Sequence, residues 1–310
     1  MNILFTAGGS PGNELIYRKL SLSHDMWFAD ADIDRISNII PNNKKVKVPL
    51  VNDKNYYQRL LKVCVLNKIE ILVPGIDEEL LEVLRVFKPI KGIKIFLPSK
   101  VFIQNMLDKF ESMKTLENLK LPIPQTFKLE KLNKTKIFPV ILKPRWGRGS
   151  RGIQIVNELK ELELYKEIKK LNNEKYIFQF FALGQEYTIQ IINHEDYKKT
   201  LVVPLKILLK KGVTLTAEID FDENVMDVCK KVAKQFKEKN IFNIQLIKSN
   251  KENLIHIFEI NPRFSTTTCI LPSLGIDPFN YDLSKIEQLD LLKYQGLKLN
   301  RTLINDMSKS

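Results

Sequence analysis

Short apolar runs alternate with helix-period segments over residues 1–98. The apolar runs predict buried strands at residues 1–7 (MNILFTA), 26–32 (MWFADAD), 45–50 (KVKVPL), 70–75 (EILVPG) and 93–98 (IKIFLP). Amphipathic segments that predict helices lie between them, at residues 13–21, 56–68 and 77–87. Apolar strands joined by helices are typical of a parallel sheet with helical crossovers. We therefore predict an α/β domain over residues 1–98.

The pattern changes over residues 99–310, where strands also follow one another without a helix between them. The predicted strands are residues 138–144, 152–156, 175–182, 186–192, 200–210, 243–248 and 254–260, and the predicted helices are residues 99–119, 158–171 and 224–239. We interpret residues 211–222 as a polar turn and the stretch from Asp277 as polar and helical. This arrangement predicts an α+β second half, and the length of 310 residues agrees with about two domains.

The most informative segment is residues 243–263 (NIQLIKSNKENLIHIFEINPR). Side chains alternate across a strand, so Glu259, Asn261 and Arg263 should share one face until Pro262 disrupts it. Carboxylate and amide oxygens suit Mg²⁺, and a guanidinium suits phosphate oxygens. The alternative to a binding surface is an ordinary solvent-exposed face of a hairpin that carries polar residues.

The register of this hairpin follows from its polar run, which predicts a turn centred on residue 252. In an antiparallel pair with that turn, Gln245 faces Glu259. The shared face then carries a third oxygen donor. Strict alternation places Phe258 on the opposite face, toward the core.

A second candidate is the basic, Gly-rich turn within residues 143–156 (KPRWGRGSRGIQIV). Lys143 ends a buried strand, and the turn contains Arg145, Gly147, Arg148, Gly149, Ser150, Arg151 and Gly152. Glycine lets backbone amides converge on an anion, and the cations match the charge of phosphate. The turn lacks the GxxxxGK[ST] pattern, so it is not a Walker loop. A solvated hairpin turn is the alternative.

A third candidate is residues 177–186 (IFQFFALGQE). A strand edge that leads into a connection can present backbone N–H and C=O groups to a purine, while Phe180, Phe181 and Leu183 supply apolar walls. Glu186 begins the next strand and is placed to accept hydrogen bonds from ribose hydroxyls. The alternative is that these apolar residues are ordinary core.

In this order the segments resemble the ATP-grasp superfamily, specifically the branch shared by the synthetase domains of carbamoyl phosphate synthetase and small carboxylate–amine ligases. The resemblance runs from Met1 to about Pro278 through PGIDEEL, LPSK, DKF, LPIPQT, VILKPRWGRGSRGI, QFFALGQEYT, NIQ and FEINPRFS. It implies a pre-ATP-grasp domain at residues 1–98 and an ATP-grasp domain at residues 99–310. The latter would comprise a nucleotide-clamping subdomain (about 115–183) and a metal- and substrate-binding subdomain (184–310).

The resemblance also implies residue roles. The residues expected to bind ATP are Lys109, Lys143, Gly147, Gly149, Ser150, Arg151, Gly152, Gln179, Phe180, Phe181, Ala182 and Glu186, with adenine at residues 179–182 and ribose at Glu186. The expected ligands of Mg²⁺ (or Mn²⁺) are Gln245, Glu259 and Asn261. Arg263 and Lys143 are the expected catalytic residues, since Arg263 matches a residue that steadies the transferred phosphate.

Three positions depart from the common pattern of the superfamily. Gln179 stands where Glu is frequent, Gln190 where many members have Asp, and Gln245 where the first metal ligand is otherwise a carboxylate. The amide at Gln245 is usual in the carbamoyl phosphate synthetase branch. At 310 residues the chain accommodates one ATP-grasp unit, so we do not expect it to make carbamoyl phosphate itself.

The implied reaction is an ATP- and Mg²⁺-dependent ligation. A small-molecule carboxylate would attack the γ-phosphate to give an acyl phosphate, and an amine would then displace phosphate. A small-molecule kinase with the same ATP site and a catalytically silent nucleotide-binding protein are the alternatives. Glu259 and Asn261 argue against silence because they complete a metal site.

The N-terminal turn AGGSPGN allows two other interpretations. Ala7, Gly9 and Gly12 approximate a dinucleotide fingerprint, with Asp30 and Asp32 near the ribose-binding position, but the first glycine of the fingerprint is replaced. An NAD(P)-dependent enzyme is therefore a weaker alternative. The same turn fits GxSxG, but Pro11 lacks the N–H that a hydrolase elbow requires. We expect a tight turn that touches the acceptor substrate.

Composition limits the classes of binding partner and the cellular compartment that we expect for this protein. A net charge of +13 comes from lysines spread along the chain, without a recognition helix or an aromatic-plus-basic platform. We therefore expect no nucleic acid, although the positive field favours anionic substrates. No apolar run approaches the roughly 20 residues of a membrane helix, and the N-terminus lacks signal-peptide features. Three widely spaced cysteines predict a reducing cytoplasm rather than disulfides or zinc. A homodimer is left open.

Overall fold

The computed structural model describes residues 1–88, 90–134, 138–193, 199–238, 240–250, 254–282 and 287–302. Within this part of the chain, helices pack against one parallel and two antiparallel sheets. No helix in it is both long and apolar enough to span a bilayer. The predicted turn centre at residue 252 lies outside the described residues.

The N-terminal sheet is parallel and has the strand order β3-β2-β1-β4-β5. Its elements are β1 (Asn2–Phe5), α1 (Asn13–Leu20), β2 (Asp25–Asp30), β3 (Lys45–Lys47), α2 (Tyr56–Leu66), β4 (Ile71–Val73), α3 (Leu80–Phe87) and β5 (Lys94–Ile95), with 3₁₀ turns at Ile33–Arg35, Asn42–Lys44 and Asp77–Glu79. Successive side chains point to opposite faces. Leu4 and Leu72 pack against α2 and α3, while Ile3 and Phe5 pack toward the rest of the chain. The predicted α/β arrangement is confirmed.

A buried carboxylate fixes the carboxyl edge of this sheet. Glu79 is fully buried and accepts hydrogen bonds from the hydroxyls of Thr6 and Tyr56, each at 2.5 Å, and from the N–H groups of Gly75 and Ile76 at 2.9 and 3.1 Å. Burial raises the pKa of Glu79, and these donors oppose the rise. The turn after β4 is thereby held against the end of β1.

A small antiparallel sheet follows, with the strand order β6-β9-β7-β8. Helices α4 (Lys100–Leu107) and α5 (Lys109–Asn118) precede it in the chain and pack into the larger core. The elements of the small sheet are β6 (Thr126–Lys128), a 3₁₀ turn (Leu129–Lys134), β7 (Val140–Pro144), β8 (Gln154–Val156), α6 (Leu159–Ile168) and β9 (Tyr176–Phe180). Leu142, Leu162 and Phe178 lie in its own small core. The sheet falls within the range predicted for the nucleotide-clamping subdomain.

The third sheet is antiparallel and has the strand order β14-β13-β10-β11-β12-β15. Its elements are β10 (Gly184–Asn193), β11 (Thr200–Lys211), β12 (Val213–Ile219), α7 (Glu223–Phe236), β13 (Ile241–Ser249), β14 (Ile255–Asn261), 3₁₀ turns at Thr268–Leu274 and Leu289–Tyr294, and β15 (Lys298–Asn300). The mixture of parallel and antiparallel sheets confirms the predicted fold class.

Two sequence interpretations in this half are wrong. Residues 213–219 form strand β12 rather than a polar turn, because apolar and polar side chains alternate along VTLTAEI with the period of a half-buried strand. The stretch from Asp277 contains a 3₁₀ turn and β15, which pairs with β12, instead of regular helix. Part of that stretch lies outside the described residues.

The N-terminal sheet and the third sheet share a core. The ring of Phe5 lies 5.9 Å from that of Phe264 and 5.7 Å from that of Phe279. At the start of α1, a Cβ on Gly12 would lie 2.5 Å from the carbonyl oxygen of Thr266, so only glycine fits this contact. The proposed division of the chain at residue 98 stays a prediction.

Candidate active site

The hairpin register predicted for β13 and β14 is confirmed. Gln245 lies opposite Glu259, and Asn243 lies opposite Asn261. On the other side of β13, Thr188 of β10 lies opposite Gln245. Directly opposed residues point to the same side of a sheet, so the three expected metal ligands emerge on one face.

The expectation that Phe258 lies on the opposite face is wrong. The register shifts by one residue after Gln245, so that Leu246 pairs with Ile257. Phe258 is the extra residue of this β-bulge. Its half-buried ring lines the same cavity as the oxygen donors, with its centroid 5.7 Å from the Nζ of Lys143.

The face that carries Gln245, Glu259 and Asn261 is called the metal face. A further amide side chain, that of Asn243, supports it. The side-chain N–H of Asn261 donates to the Oδ1 of Asn243 at 3.1 Å, and both residues are buried. This orientation leaves the oxygen of Asn261 as an acceptor, while the Nδ2 of Asn243 has no partner among the described residues. Asn243 was not predicted, although it stands two residues before Gln245 and strand alternation alone would have placed it on this face.

Lys109 is placed by the start of α5. Its Nζ lies 3.2 Å from the Oε1 of Glu259 and donates to the carbonyl of Gly147 at 2.5 Å. Its backbone N–H donates to the carbonyl of Arg145 at 2.9 Å. Arg145 in turn makes a buried, bidentate pair with Asp108, at 3.1 and 2.5 Å. This pair anchors the beginning of the Gly-rich loop to α5, so Arg145 holds the loop rather than facing a ligand.

Lys143 lies near the end of β7 and is buried. Its Nζ donates to the Oε1 of Gln179 at 2.9 Å and to the carbonyl of Phe258 at 3.4 Å. Burial lowers the pKa of Lys143 to about 8, with a further contribution from Lys109 and an opposing one from Glu259. A phosphate beside this amine would favour its charged form.

The Gly-rich loop adopts left-handed backbone conformations. The φ angles of Gly147, Gly149, Ser150 and Gly152 are 128°, 67°, 57° and 71°. Apart from the adjacent residues, no atom of the described chain lies within 4 Å of a Cβ built on Gly147 or Gly149, so conformation rather than space requires glycine there. Arg151 is exposed beside them. Such a turn can direct backbone N–H groups at an anion.

Of the hinge residues, Gln179 and Phe180 end β9, and Phe181 and Ala182 follow it. The expectation of a free strand edge is wrong for β9, which lies between β6 and β7. The N–H of Phe180 donates to the carbonyl of Gln125 at 3.0 Å, and that of Phe181 to the carbonyl of Pro139 at 3.2 Å. These two donors are already used, and adenine recognition by the hinge stays a prediction.

Glu186 has a cationic partner that was not predicted. The Nζ of Lys210, near the end of β11, donates to the Oε1 of Glu186 at 2.5 Å and to the Oε1 of Gln245 at 3.4 Å. Lys210 therefore connects the expected ribose ligand with the metal face. A lysine near the end of a long strand is typical of solvated surface, so the sequence pattern does not indicate this contact. The ribose role of Glu186 stays a prediction.

Two arginines reach the acidic turn after β4. The Nε of Arg263, beyond the end of β14, donates to Asp77, and the Nε of Arg148 in the Gly-rich loop donates to Glu78 at 3.0 Å. The PGIDEEL segment thus bears carboxylates that face both arginines. Its sequence alone does not predict these ion pairs. These contacts bring the N-terminal sheet to the edge of the site.

A cavity of about 610 Å³ brings most of the predicted residues together. It is lined by Lys109, Lys143, Gly147, Gly149, Ser150, Arg151, Gln245, Glu259, Asn261 and Arg263. The hinge residues 179–182, Gly152 and Glu186 do not line it. The phosphate- and metal-binding candidates therefore share one space, while the nucleoside candidates lie outside it.

The N-terminal turn is not arranged to bind a dinucleotide. The N–H of Gly9, which would face a pyrophosphate, donates to the Oδ2 of Asp30 at 2.9 Å. Gly12, at the start of α1, is backed directly by the carbonyl of Thr266. A pyrophosphate at this helix N-terminus would occupy space that the polypeptide already fills.

Residues 106–267 match the family model of the ATP-grasp domain, and this match assigns the chain to a family. The chain belongs to the ATP-grasp family. The matched range extends from within α4 to the segment after β14. It contains both lysines, the Gly-rich loop, the hinge and the metal face of this ATP-grasp domain.

Curated relatives and solved structures are similar to most of the ATP-grasp chain. It is 25% identical over 296 residues to the carbamoyl phosphate synthase large chain of Clostridium botulinum (strain Loch Maree / Type A3), covering 86% of this chain and 26% of that protein. The chain thus spans about a quarter of the length of the large chains it matches.

Two solved structures share the fold. The biotin carboxylase domain dimer of Hydrogenobacter thermophilus 2-oxoglutarate carboxylase, in complex with MgADP, ADP and bicarbonate, has a TM-score of 0.69 at 16% identity and is covered to 72%, against 95% of this chain. Carboxyaminoimidazole ribonucleotide synthase from Aspergillus clavatus, complexed with ATP, has a TM-score of 0.66 at 16% identity, with coverage of 84% of this chain and 70% of that one.

The metal face of this ATP-grasp domain suits a divalent cation that is shared with phosphates. The described residues contain no group of three His, Cys, Asp or Glu side chains that could hold a metal by themselves. Glu259 supplies one carboxylate, and Gln245 and Asn261 supply amide oxygens on the same face. Mg²⁺ commonly takes one or two carboxylates and completes its shell with water and substrate phosphates. The donor set therefore fits Mg²⁺ bound together with a nucleotide.

Proposed function

We propose that this chain is an ATP- and Mg²⁺-dependent ligase, which activates a small-molecule carboxylate as an acyl phosphate and joins it to an amine. The observation that carries the proposal is the single cavity in which Lys109, Lys143, Glu259 and Arg263 meet. The family and the nucleotide complexes of the two structural neighbours support ATP as the substrate. Glu259 and Asn261 argue against a catalytically silent protein.

The proposed chemistry needs no protein nucleophile. A carboxylate oxygen attacks the γ-phosphorus, the bond to the β–γ bridging oxygen breaks, and ADP leaves. The amine nitrogen then attacks the acyl carbon, the bond to the phosphate oxygen breaks, and nitrogen releases a proton to solvent. Lys109, Lys143 and Arg263 neutralise developing negative charge, and the Gly-rich loop excludes water from the acyl phosphate.

Gln245, Glu259 and Asn261 would hold Mg²⁺, which when bound supplies charge neutralisation to the phosphates. In the proposed site, Gly147, Gly149, Ser150, Arg151 and Gly152 enclose the phosphates, residues 179–182 bind adenine, and Glu186 binds ribose. The Glu186–Lys210 pair must then accommodate the ribose hydroxyls.

The organisation of the protein is proposed on similar grounds. We propose a pre-ATP-grasp domain at residues 1–98 and an ATP-grasp domain at residues 99–310, in agreement with the change from a parallel to antiparallel sheets. Three buried free cysteines support a cytoplasmic location. The dimeric carboxylase domain among the structural neighbours supports a homodimer.

The experiment that tests the function is a screen of carboxylate and amine pairs, amino acids included, for ADP release from Mg-ATP. Mass spectrometry then identifies the product. A ligase gives an amide together with ADP and phosphate, whereas a kinase gives a stable phosphorylated product. Stabilisation of the fold by NAD(H) without stabilisation by Mg-ATP would refute the proposal.

A further inference from the structure

The cavity continues from the phosphate-binding lysines to the carboxyl edge of the N-terminal sheet. There it is lined by Ser10 after β1, Asp30 at the end of β2, Arg35 and residues 48–51 after β3. Ligands of open parallel sheets bind outside the carboxyl ends of the strands. Phosphoryl transfer as proposed above uses none of these residues, so this end of the cavity is free for a second molecule.

Two opposite charges at this end have no ionic partner in the part of the chain that the structure describes. Within the described part of the chain, the carboxylate of Asp30 accepts hydrogen bonds only from backbone, from the N–H of Gly9 at 2.9 Å and that of Asp32 at 3.1 Å. Among the described residues, no cation pairs with Asp30, and no side chain bonds to the exposed guanidinium of Arg35. Neither group is therefore paired with an opposite charge from the described residues.

Gly9 lies against both of these residues. Its N–H holds Asp30, and a Cβ on Gly9 would lie 2.7 Å from the Cβ of Arg35. Any side chain at this position would therefore displace Arg35. Although they are neighbours, Asp30 and Arg35 form no ion pair with each other. The turn that precedes α1 thus presents a carboxylate and a guanidinium separately to one end of the cavity.

Beside Ser10, aliphatic side chains give this end an apolar wall. Ala29 and Val48 are buried beneath the cavity, and Leu50 and Val51 border it. A ligand that matches this end carries an anionic group, a cationic group and an aliphatic body. A simple carboxylate or a simple amine would leave one of the two protein charges unmatched.

We propose that this end of the cavity binds an α-amino acid, with its carboxylate at Arg35 and its ammonium at Asp30. The inference rests on the proposed ligase function, in which the amino acid is one of the two molecules joined. Because both α groups are held at the sheet edge, the reacting group is in the side chain. That side chain follows the apolar wall toward Lys109 and Lys143. There a side-chain carboxylate attacks the γ-phosphorus and ADP leaves, or a side-chain amine attacks the acyl carbon of the acyl phosphate and phosphate leaves.

The test uses the full chain, Mg-ATP and amino acids with reactive side chains: lysine, ornithine, aspartate and glutamate, each combined with every standard amino acid as co-substrate. We expect ADP release with at least one combination. The Nα-acetyl and α-amide forms of the anchored amino acid should lose this activity, because each removes one of the two matched charges.

Variants locate the site. Arg35→Ala and Asp30→Asn should each raise the KM for the anchored amino acid by roughly tenfold to hundredfold, as expected for a lost charged hydrogen bond, and leave the KM for ATP unchanged. Arg35 is exposed, so its variant should fold even if Asp30→Asn disturbs the turn. Arg59→Ala, an exposed position on α2, is the matched control and should change neither KM.

An unchanged KM in Arg35→Ala, or full turnover of the Nα-acetyl and α-amide forms, would overturn the amino-acid site and leave the ligase function intact. ADP release that requires only simple carboxylates and amines would do the same. Absence of both Mg-ATP binding and ADP release with every combination would instead refute the ligase function on which the proposal rests.

Discussion

Arg263, just beyond strand β14, donates its Nε–H to a carboxylate oxygen of Asp77 in the N-terminal part of the chain. Their side chains are only 11% and 13% exposed. The proposed catalytic arginine is therefore oriented by a residue 186 positions away in sequence. This pair joins the parallel sheet to the active site.

Breaking this pair should lower stability and activity to different degrees. Asp77→Ala leaves the largely buried guanidinium of Arg263 without this ionic partner, and we expect the free energy of unfolding to fall by about 1–3 kcal/mol. Arg263→Ala should lower kcat by roughly hundredfold or more, because it removes a positive charge that stabilises the negative charge of the transition state. Denaturant unfolding of both single variants and the double variant should give a coupling energy of about 1 kcal/mol or more. Strictly additive losses would rule out direct pairing.

Glu259→Ala should separate metal dependence from folding. It removes the carboxylate of the metal face, and we expect kcat to fall by roughly hundredfold or more while the melting temperature changes little. Gln245→Ala should lower kcat less than Glu259→Ala does, because it removes a neutral oxygen ligand and not a carboxylate. Activity across a Mg²⁺ titration, beside melting curves, measures both effects.

The matched control for Glu259→Ala is Ile260→Ala, on the opposite face of β14. Ile260 is buried, so this change should lower the free energy of unfolding by about 2–5 kcal/mol without altering the Mg²⁺ requirement. Full activity of Glu259→Ala at low Mg²⁺ would contradict the assignment of the metal face.

Nucleotide affinity should fall as the pH rises above about 8. The pKa of Lys143 is lowered to about 8 in the free protein, so its amine loses charge above that pH, whereas bound phosphate favours the charged form. The complex then holds a proton that the free protein lacks, and each pH unit above 8 should cost up to about tenfold in affinity. Calorimetric titration of ADP between about pH 7 and about pH 9.5 measures this slope.

Lys143→Arg provides the control for this slope. A guanidinium stays charged throughout the range, so its contribution to the pH dependence should disappear even if the affinity itself changes. An ADP affinity of the natural protein that stays constant over the same range would show that Lys143 does not bind phosphate as its charged form.

Gly12→Ala should loosen the contact between α1 and the segment after β14. The φ angle of Gly12 is −84°, which alanine adopts easily, so any cost must come from the 2.5 Å approach of a Cβ to the Thr266 carbonyl. We expect the free energy of unfolding to fall by about 1–3 kcal/mol. Ser23→Ala, at an exposed position beyond the other end of α1, should be neutral in the same denaturation experiment. Equal stability of both variants would mean that this contact is not tight in solution.

Regular alternation allowed much of the fold to be predicted from the sequence. The opposition of Gln245 and Glu259 followed from the strand pattern and the polar run between the strands, and the structure confirms it. Phe258 was assigned to the wrong face because a β-bulge adds one residue, and no residue type in the segment marks its position. Strand β12 could have been found, since VTLTAEI alternates as a strand should.

Contacts between distant segments could not be predicted. Lys210 lies between Glu186 and Gln245 only because β11 and β13 flank β10 in one sheet. The partner of Arg263 depends on how the parallel sheet packs against the third sheet. Neither depends on local pattern, and both decide which charges the cavity presents.

The most direct test of the central claim is the nucleotide product formed during turnover. Lys109, Lys143 and the metal face line one cavity in an arrangement suited to attack at the γ-phosphorus, which gives an acyl phosphate and releases ADP. An acyl-adenylate route would instead release AMP and pyrophosphate. Chromatography of the reaction with Mg-ATP and the active substrate pair should show ADP rising in step with the amide product. AMP in place of ADP would contradict the account.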